Sequence, residues 1–122
     1  MRKVLIADDE PTMRLLVRET IALDDYEVVE AEDGDEAWQL IQEHRPAVAL
    51  LDVAMPGRTG LELTRAIKAD PDLAGMHVIL LTAKAQQADI EAGLAAGASR
   101  YLTKPFSPLE LLDIIEETLE HV

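Results

Sequence analysis

The sequence predicts an α/β fold, a doubly wound parallel sheet with helices on both faces. Five short apolar or β-branched runs alternate along the chain with five segments of helical periodicity. Strands separated by helices of this length pair in parallel, because each connection crosses over the sheet in the right-handed sense. The chain has 122 residues, which is enough for one domain, residues 1–122, with an apolar core of its own.

The five predicted strands are short, and most of their residues are apolar or β-branched. The first, third and fourth are typical of buried strands, since each is an apolar run that stops at a polar residue. The second is brief and rich in valine, and the fifth is the shortest. In chain order the predicted strands are Lys3–Ala7, Glu27–Ala31, Ala47–Leu51, His77–Leu81 and Tyr101–Thr103.

The helices begin and end at recognisable signals. Pro11 and Pro108 stand in the first turns of the first and last helices. Three helices begin with an N-cap residue and a glutamate three positions later, the capping-box pattern: Asp33 with Glu36, Thr59 with Glu62 and Ser107 with Glu110. Pro46 and Pro71 follow the second and third helices, and Gly97 follows the alanine-rich fourth. The predicted helices run approximately over Pro11–Leu23, Asp33–His44, Thr59–Lys68, Ala85–Ala96 and Ser107–Glu120. The inner face of the last helix is expected to consist of Leu112, Ile115 and Leu119.

Composition excludes several classes of protein. Twenty-four acidic residues against 11 basic ones give a formal net charge of −13, which repels nucleic-acid backbones and disfavours direct nucleic-acid binding. The chain has no cysteine, so it has no disulfide framework, no thiolate nucleophile and no cysteine-ligated metal. No apolar segment is long enough for a membrane span and the N-terminus does not fit a signal peptide, so we expect a cytoplasmic protein without membrane association.

Polar side chains follow four of the five predicted strands. Asp8 and Asp9 come after the first strand, Asp52 after the third, Thr82 after the fourth and Lys104 after the fifth. In an open parallel sheet, ligands bind outside the carboxyl ends of the strands, near the point where strand order reverses. If the strand order is 2-1-3-4-5, the first and third strands are neighbours and three carboxylates converge. Such a cluster calls for a hard divalent cation, Mg²⁺ or alternatively Mn²⁺.

These groups suit phosphoryl transfer. A carboxylate beside Mg²⁺ can attack phosphorus and become an acyl phosphate, because the metal and an ammonium group offset the charge on the transferred oxygens. We therefore expect Asp52 to be the nucleophile and Asp8 and Asp9 to position the metal. Lys104 would pair with one phosphoryl oxygen, and the Thr82 hydroxyl would donate to another.

Each of these residues also has an ordinary interpretation. An acidic pair after a strand often forms only a turn and a helix N-cap. Asp52 is also typical of a solvated turn. Thr82 is typical of the end of an ordinary strand, and Lys104 is typical of a solvated loop. The conjunction favours the site, because four separate strand ends carry groups that share one chemistry.

The sequence resembles the receiver domain of two-component response regulators, the module typified by the single-domain chemotaxis regulator. The resemblance covers essentially the whole chain and implies a flavodoxin-like fold. The order 2-1-3-4-5 is adopted from known doubly wound proteins, that regulator among them, and does not follow from the residues. The matching motifs are Asp8-Asp9, Asp52 with Met55-Pro56 and Gly60, Thr82-Ala83, Tyr101, and Lys104-Pro105-Phe106.

The resemblance implies a specific role for each acidic residue. Asp52 accepts a phosphoryl group from the phosphohistidine of a sensor histidine kinase or phosphotransfer protein. Asp9 and Asp52 bind Mg²⁺ by their side chains, Ala54 binds it by its backbone carbonyl, and Asp8 acts mainly through water. The domain is then no enzyme in the usual sense, since it catalyses only its own phosphorylation and dephosphorylation.

The resemblance also implies a switch. Phosphorylation draws Thr82 toward the phosphate and lets the ring of Tyr101 turn inward, which remodels the face formed by the fourth helix, fifth strand and fifth helix. That face would signal to a downstream protein or output domain whose identity the residues leave open. The Lys104-Pro105 peptide bond is expected to be cis.

Three small or basic residues are expected to set phosphate access and lifetime. Ala83 is small enough to let the phosphate approach the backbone. Ala54 and Lys84 flank the path of a hydrolytic water, and neither carries a carboxylate or amide that would orient it. Lys84 would also cover the phosphate, so we expect slow spontaneous loss of the phosphoryl group.

Two other functions remain as alternatives. Haloacid-dehalogenase-type phosphatases share an aspartate nucleophile and Mg²⁺, but their nucleophile follows the first strand in an Asp-x-Asp pattern, where this chain has Asp8-Asp9-Glu10. A receiver that acts only through protein contacts, without phosphorylation, would be expected to lack one of the site residues. The sequence leaves open a monomer or a phosphorylation-dependent dimer, and a stand-alone regulator or part of a longer one.

Overall fold

The computed structural model describes residues 2–22, 26–83 and 87–120. Helices and strands alternate throughout this part of the chain, as the sequence pattern predicts. In chain order the elements are β1 (Lys3–Ala7), α1 (Pro11–Ile21), β2 (Glu27–Ala31), α2 (Gly34–His44), β3 (Val48–Asp52), α3 (Gly60–Ala69), β4 (His77–Thr82), α4 (Gln87–Ala95), β5 (Arg100–Thr103) and α5 (Pro108–Glu120).

The five strands form one parallel sheet in the order β2-β1-β3-β4-β5, which confirms the predicted doubly wound topology. β1 pairs with β2 on one side and with β3 on the other, so the winding direction reverses between β1 and β3. The register then aligns the strand ends: Ala7 lies opposite Leu51, and Thr82 lies opposite Thr103. The carboxyl ends of β1, β3, β4 and β5 therefore meet at one edge of the sheet.

The apolar core lies in two layers, one on each face of the sheet. Successive strand residues point to opposite faces, so neighbouring residues such as Leu50 and Leu51 belong to different layers. One layer packs the sheet against α2 and α3 through Ala37, Ile41, Leu63 and Ile67. The other packs it against α1 and α5 through Val17, Ile21, Leu111 and Ile115. Among the described residues, no helix has the length and apolar character needed to cross a membrane.

Several boundaries differ from the predicted ones by one or two residues, and the pairing explains the differences. β3 continues through Asp52, because Asp52 lies opposite Leu81 and the next residue, Val53, donates its backbone N–H to the Leu81 carbonyl at 2.9 Å. β5 begins at Arg100, which pairs with Ile79. Two residues of predicted helices, Leu23 and Ala85, lie outside the described part of the chain.

The inner face of α5 differs from the prediction at one position. Leu111 and Ile115 are fully buried and Leu119 nearly so, whereas Leu112 is only partly buried. Residues 111, 115 and 119 recur every four positions, so Leu111 belongs to the stripe that faces the sheet and Leu112 stands beside it.

The capping signals form largely as predicted. The side chain of Thr59 accepts from the backbone N–H of Glu62 at 3.2 Å, and the Glu62 carboxylate accepts from the Thr59 N–H at 3.1 Å. The same reciprocal pair forms at residues 107 and 110. At α2 the Asp33 side chain accepts from Glu36 N at 2.8 Å, but the Glu36 carboxylate accepts from Glu32 instead of from Asp33. These caps set where α2, α3 and α5 leave the loops at the carboxyl edge.

Candidate functional site

An open cavity of about 420 Å³ lies at the carboxyl edge of the sheet, where the predicted site residues converge. It brings together residues from the ends of β1, β3, β4 and β5. Its lining consists of Asp9, Glu10, Asp52, Val53, Ala54, Thr82, Ala83 and Lys104. Asp8 lies beside it, completely buried, and its side chain contacts that of Lys104. Lys84 lies outside the described residues.

Lys104 joins the acidic residues of β1 and β3. Its Nζ donates to Asp8 Oδ2 at 2.8 Å and to Asp52 Oδ2 at 3.1 Å, although Lys104 is 96 and 52 positions away from these residues in the chain. Its backbone N–H donates to the Thr82 carbonyl at 2.8 Å, and the Lys104-Pro105 peptide bond is cis, as predicted. Burial lowers the pKa of Lys104, but its contacts with Asp8 and Asp52 outweigh burial and raise that pKa overall. Lys104 is therefore held as a cation between two carboxylates.

Asp52 is the last residue of β3 and is 6% exposed. Besides Lys104, it accepts the backbone N–H of Ala54 at Oδ1, at 3.2 Å. Burial and the charge of Asp8 raise the pKa of Asp52. The contacts with Lys104 and with the Ala54 N–H lower it by a smaller amount, so the pKa is raised overall. Lys104 supplies one positive charge to the two carboxylates that it contacts, so excess negative charge remains around Asp52.

Gly60 explains why the backbone can close so tightly behind Asp52. A Cβ atom at this position would lie 2.6 Å from the Asp52 carbonyl oxygen, inside van der Waals contact. The first residue of α3 therefore packs directly against the backbone of the β3 end, and only glycine leaves the room for it.

The acidic pair after β1 extends by one residue that the sequence reasoning did not assign to the site. Carboxylate oxygens of Asp8, Asp9 and Glu10 all lie within 4.8 Å of one another. Glu10 is also the N-cap residue of α1, but its side chain makes no cap hydrogen bond, and its backbone N–H donates to Asp8 Oδ1 at 2.9 Å. The acidic run Asp8-Asp9-Glu10 was itself the signal that could have identified it.

The oxygen donors fit a hard divalent cation. Asp8, Asp9 and Glu10 cluster next to Asp52, so four carboxylates surround the single positive charge of Lys104. Mg²⁺ prefers such all-oxygen surroundings. The donor set of this chain is therefore compatible with the predicted metal.

Thr82 lines the cavity, whereas Tyr101 lies outside it. Thr82 is 1% exposed, and its hydroxyl donates to the neighbouring Ala83 carbonyl at 3.3 Å, a long hydrogen bond. Tyr101 is outside the cavity on the edge strand β5 and is 41% exposed. It lines a separate open groove of about 750 Å³ with residues of α4, β5 and α5, among them Leu94, Leu102 and Ile114.

Comparison with known proteins places this geometry in a family. Residues 4–116 match the family described as "Response regulator receiver domain". The phosphate regulon transcriptional regulatory protein PhoB of Pseudomonas aeruginosa is 37% identical over 118 residues, which cover 97% of this chain and 52% of PhoB. The chain thus spans about half the length of this relative.

Solved structures agree in fold. The Vibrio cholerae chemotaxis protein CheY4 superposes with a TM-score of 0.90 and 35% identity, over 97% of this chain and 98% of that one. A CheY-like response regulator receiver domain protein from Methanospirillum hungatei superposes with a TM-score of 0.91 and 29% identity, over 98% and 94% of the two chains. With its five-stranded sheet of order 2-1-3-4-5, the chain therefore belongs to the flavodoxin-like receiver domains of two-component response regulators, which are phosphoacceptor signalling modules.

Proposed function

We propose that Asp52 is the phosphoacceptor and that it takes its phosphoryl group from the phosphohistidine of a sensor histidine kinase or phosphotransfer protein. The observation that supports this choice is the pair of contacts on its two oxygens, from Lys104 Nζ at 3.1 Å and from the Ala54 N–H at 3.2 Å. Asp52 also lines the open cavity, so it is accessible to a donor although it is 6% exposed.

In the reaction a new bond forms between a carboxylate oxygen of Asp52 and phosphorus, and the phosphorus–nitrogen bond of the donor breaks. The donor imidazole leaves with the electron pair of that bond and takes up a proton. Lys104 Nζ is positioned to pair with a phosphoryl oxygen as the phosphate displaces its contact with Asp52. Ala83 lines the same cavity and leaves room for the phosphate beside the backbone.

We propose Mg²⁺ as the metal, with Mn²⁺ as an alternative that the same oxygen donors accept. Asp9 and Asp52 would hold it by their carboxylates, Ala54 by its backbone carbonyl, and Asp8 mainly through water. The ion, when bound, offsets the negative charge on the transferred phosphoryl oxygens. Asp8 remains fixed by Lys104 at 2.8 Å, which suits a supporting role for this residue.

The switch is proposed to start at Thr82. Among the described residues its hydroxyl bonds only to the Ala83 carbonyl, at the long distance of 3.3 Å, so turning toward a phosphate on Asp52 breaks only this weak bond there. The ring of Tyr101, now 41% exposed beside the α4-β5-α5 groove, would then turn inward. The phosphate biases a two-state equilibrium, and the groove presents a different surface to the downstream partner in each state.

The acyl phosphate is proposed to be long-lived. Ala54 stands two residues after Asp52 and offers no side-chain group to orient a hydrolytic water. Lys84, two residues after Thr82, offers none either and would cover the phosphate. The decay of bound phosphate in purified phosphoprotein with Mg²⁺ measures this lifetime, and rapid decay would contradict the proposal.

In this role the domain is no enzyme toward other substrates and catalyses only its own phosphorylation and dephosphorylation. We propose a cytoplasmic site of action, no direct contact with nucleic acid because of the −13 net charge, and a monomer or phosphorylation-dependent dimer. Any output activity belongs to a downstream protein or to an output domain such as a longer regulator carries.

Incubation with acetyl phosphate and Mg²⁺ tests the phosphoacceptor. Intact-protein mass spectrometry should show the addition of one phosphate to the wild type and none to Asp52→Asn. Asp113→Asn is the matched control, because Asp113 is an exposed aspartate of α5 outside the cavity. Phosphate incorporation that persists in Asp52→Asn would refute the assignment, and sustained turnover of phosphate esters would favour the phosphatase alternative.

A further inference from the structure

We propose that Arg14 is a positioning residue that holds the turn of Asp8 and Asp9 in the geometry that the metal site requires. This inference rests on the proposed Mg²⁺ site. Arg14 belongs to α1, and its side chain is 12% exposed. Its Nη1 donates to the backbone carbonyl of Asp8 at 2.7 Å. Arg14 therefore contacts the backbone of the site without lining the cavity.

The contact from Arg14 completes the hydrogen bonding of Asp8. The Asp8 N–H donates to the Ala31 carbonyl at 3.2 Å, Oδ1 accepts from Glu10 N at 2.9 Å, and Oδ2 accepts from Lys104 Nζ at 2.8 Å. The carbonyl oxygen is the fourth group, and Arg14 supplies its partner. Because Asp8 is completely buried with Arg14 in place, its carbonyl depends on this side chain for its hydrogen bond.

The Asp8 carbonyl matters because it belongs to the peptide unit that leads to Asp9. β1 ends at Ala7, so sheet pairing does not orient this peptide. The Arg14 contact holds the carbonyl of this peptide unit, and the bond from Glu10 N to Asp8 Oδ1 ties the next peptide unit to the Asp8 side chain. The direction in which the exposed Asp9 carboxylate points into the cavity thus depends on Arg14.

The guanidinium group is itself held by the end of β2 and the residue that follows it. Arg14 Nε lies 3.7 Å from Glu30 Oε1, and Nη2 lies 3.7 Å from Glu32 Oε1. A planar guanidinium can face two carboxylates and a carbonyl at once, whereas a lysine ammonium on a flexible stem cannot hold all three in one fixed geometry. Arg14 thereby couples the end of β2 to the acidic turn after β1.

Arg18 provides a matched control. It lies one turn further along α1 and pairs with the same glutamate, with Nη1 2.8 Å from Glu30 Oε2, and it is 51% exposed. No contact joins Arg18 to Asp8 in the described structure. Arg14→Gln and Arg18→Gln therefore remove the same charge from the same helix, and only the first removes the contact with the site.

The first measurement is hydrogen exchange of the Glu10 amide in metal-free protein. Loss of the Arg14 contact should loosen the turn and speed this exchange about tenfold in Arg14→Gln, with no change in Arg18→Gln. The second is a Mg²⁺ titration of the unphosphorylated protein followed by the Asp9 amide resonance. Arg14→Gln should need about tenfold more Mg²⁺ for half-saturation, in the range found when residues that orient metal ligands are replaced.

Phosphorylation by acetyl phosphate completes the test. A residue that only positions the metal ligands should change the Mg²⁺ concentration needed for half-maximal rate and leave the rate at saturating Mg²⁺ nearly unchanged. The half-saturating Mg²⁺ concentration should rise in Arg14→Gln, and the rate at saturating Mg²⁺ should approach that of the wild type. Arg14→Lys, which keeps the charge and can still reach one acceptor, should fall between the two in every measurement. If Arg14→Gln does not fold, the lysine variant carries the comparison.

Equal behaviour of the glutamine variants of Arg14 and Arg18 in exchange and in Mg²⁺ titration would overturn the inference, as would faster exchange at all sites instead of around Glu10. Failure of the phosphoacceptor proposal is seen separately, as absence of Asp52-dependent phosphorylation in the wild type. The exchange of Glu10 in metal-free protein remains a test of the positioning role in that case.

Discussion

Lys104→Met should strongly destabilise the metal-free protein at neutral pH. Lys104 Nζ contacts Asp8 at 2.8 Å and Asp52 at 3.1 Å, and these aspartates are 0% and 6% exposed. Removing the cation leaves two buried carboxylates facing each other. Breaking a buried pair in this way costs about 3–5 kcal/mol of unfolding free energy. Methionine keeps most of the apolar stem of lysine, so the loss reports on charge more than on packing.

The deficit should shrink as the pH falls. The pKa of Asp52 in the folded protein is already raised from 3.8 by burial and by Asp8, and removing Lys104 takes away a contact that lowers it. A carboxyl with a raised folded pKa binds more protons in the folded state than in the unfolded state between those two values. The stability of Lys104→Met should therefore rise as pH decreases through the folded pKa toward 3.8, because protonation neutralises the repulsion.

Urea unfolding in the presence of EDTA, followed by circular dichroism and by the fluorescence of the single tryptophan, Trp38, measures both effects. Arg100→Met is the matched control, since Arg100 on β5 forms an exposed pair with Glu117 at 3.2 Å and its loss should cost less than about 1 kcal/mol. Combining Lys104→Met with Asp52→Asn should restore most of the stability. A Lys104→Met variant within 1 kcal/mol of the wild type at pH 7, or a deficit that neither pH nor Asp52→Asn changes, would refute the reasoning.

Two further variants test how loops are held at the two edges of the sheet, Gly34 at the carboxyl edge and Lys68 at the amino edge. Gly34→Ala should lower the free energy of unfolding by about 3 kcal/mol, because a Cβ at Gly34 would overlap the Arg58 carbonyl oxygen, a backbone atom that cannot turn away. A loss below about 1 kcal/mol in urea unfolding would contradict this prediction. Lys68→Met should cost about 2 kcal/mol, because Lys68 Nζ donates to the carbonyls of Ala74 at 3.0 Å and Met76 at 2.8 Å. Thermal and urea unfolding measure this second loss, and wild-type stability would show that water replaces both bonds.

Local signals in the sequence predicted the order and type of the elements well. The capping box of Thr59 and Glu62 forms within one turn of α3, so the identities of a few neighbouring residues suffice to predict it. Boundaries that depend on pairing were harder to place. β3 extends through Asp52 only because Leu81 lies opposite, and no residue near Asp52 in the chain carries that information.

The candidate site also has a part that the sequence predicts and a part that depends on packing between distant segments. The residue types at the strand ends pointed to Asp8, Asp9, Asp52, Thr82 and Lys104, and apart from the buried Asp8 all of them line one cavity. The contribution of Glu10 went unassigned, although it follows Asp9 directly. The contact of Arg14 with the Asp8 carbonyl had no sequence signal, because it depends on how α1 packs beside the end of β2.

Local composition and spacing are enough to predict the alternation of strands and helices, the acidic character of the chain and the set of groups at the strand ends. The tertiary structure decided which groups meet. Lys104 reaches Asp8 across 96 positions of the chain because β1, β3, β4 and β5 lie side by side and end at the same edge of the sheet. It also decided their charge balance: the burial that raises the pKa of Asp52 and the cation that opposes it both arise from packing between distant segments.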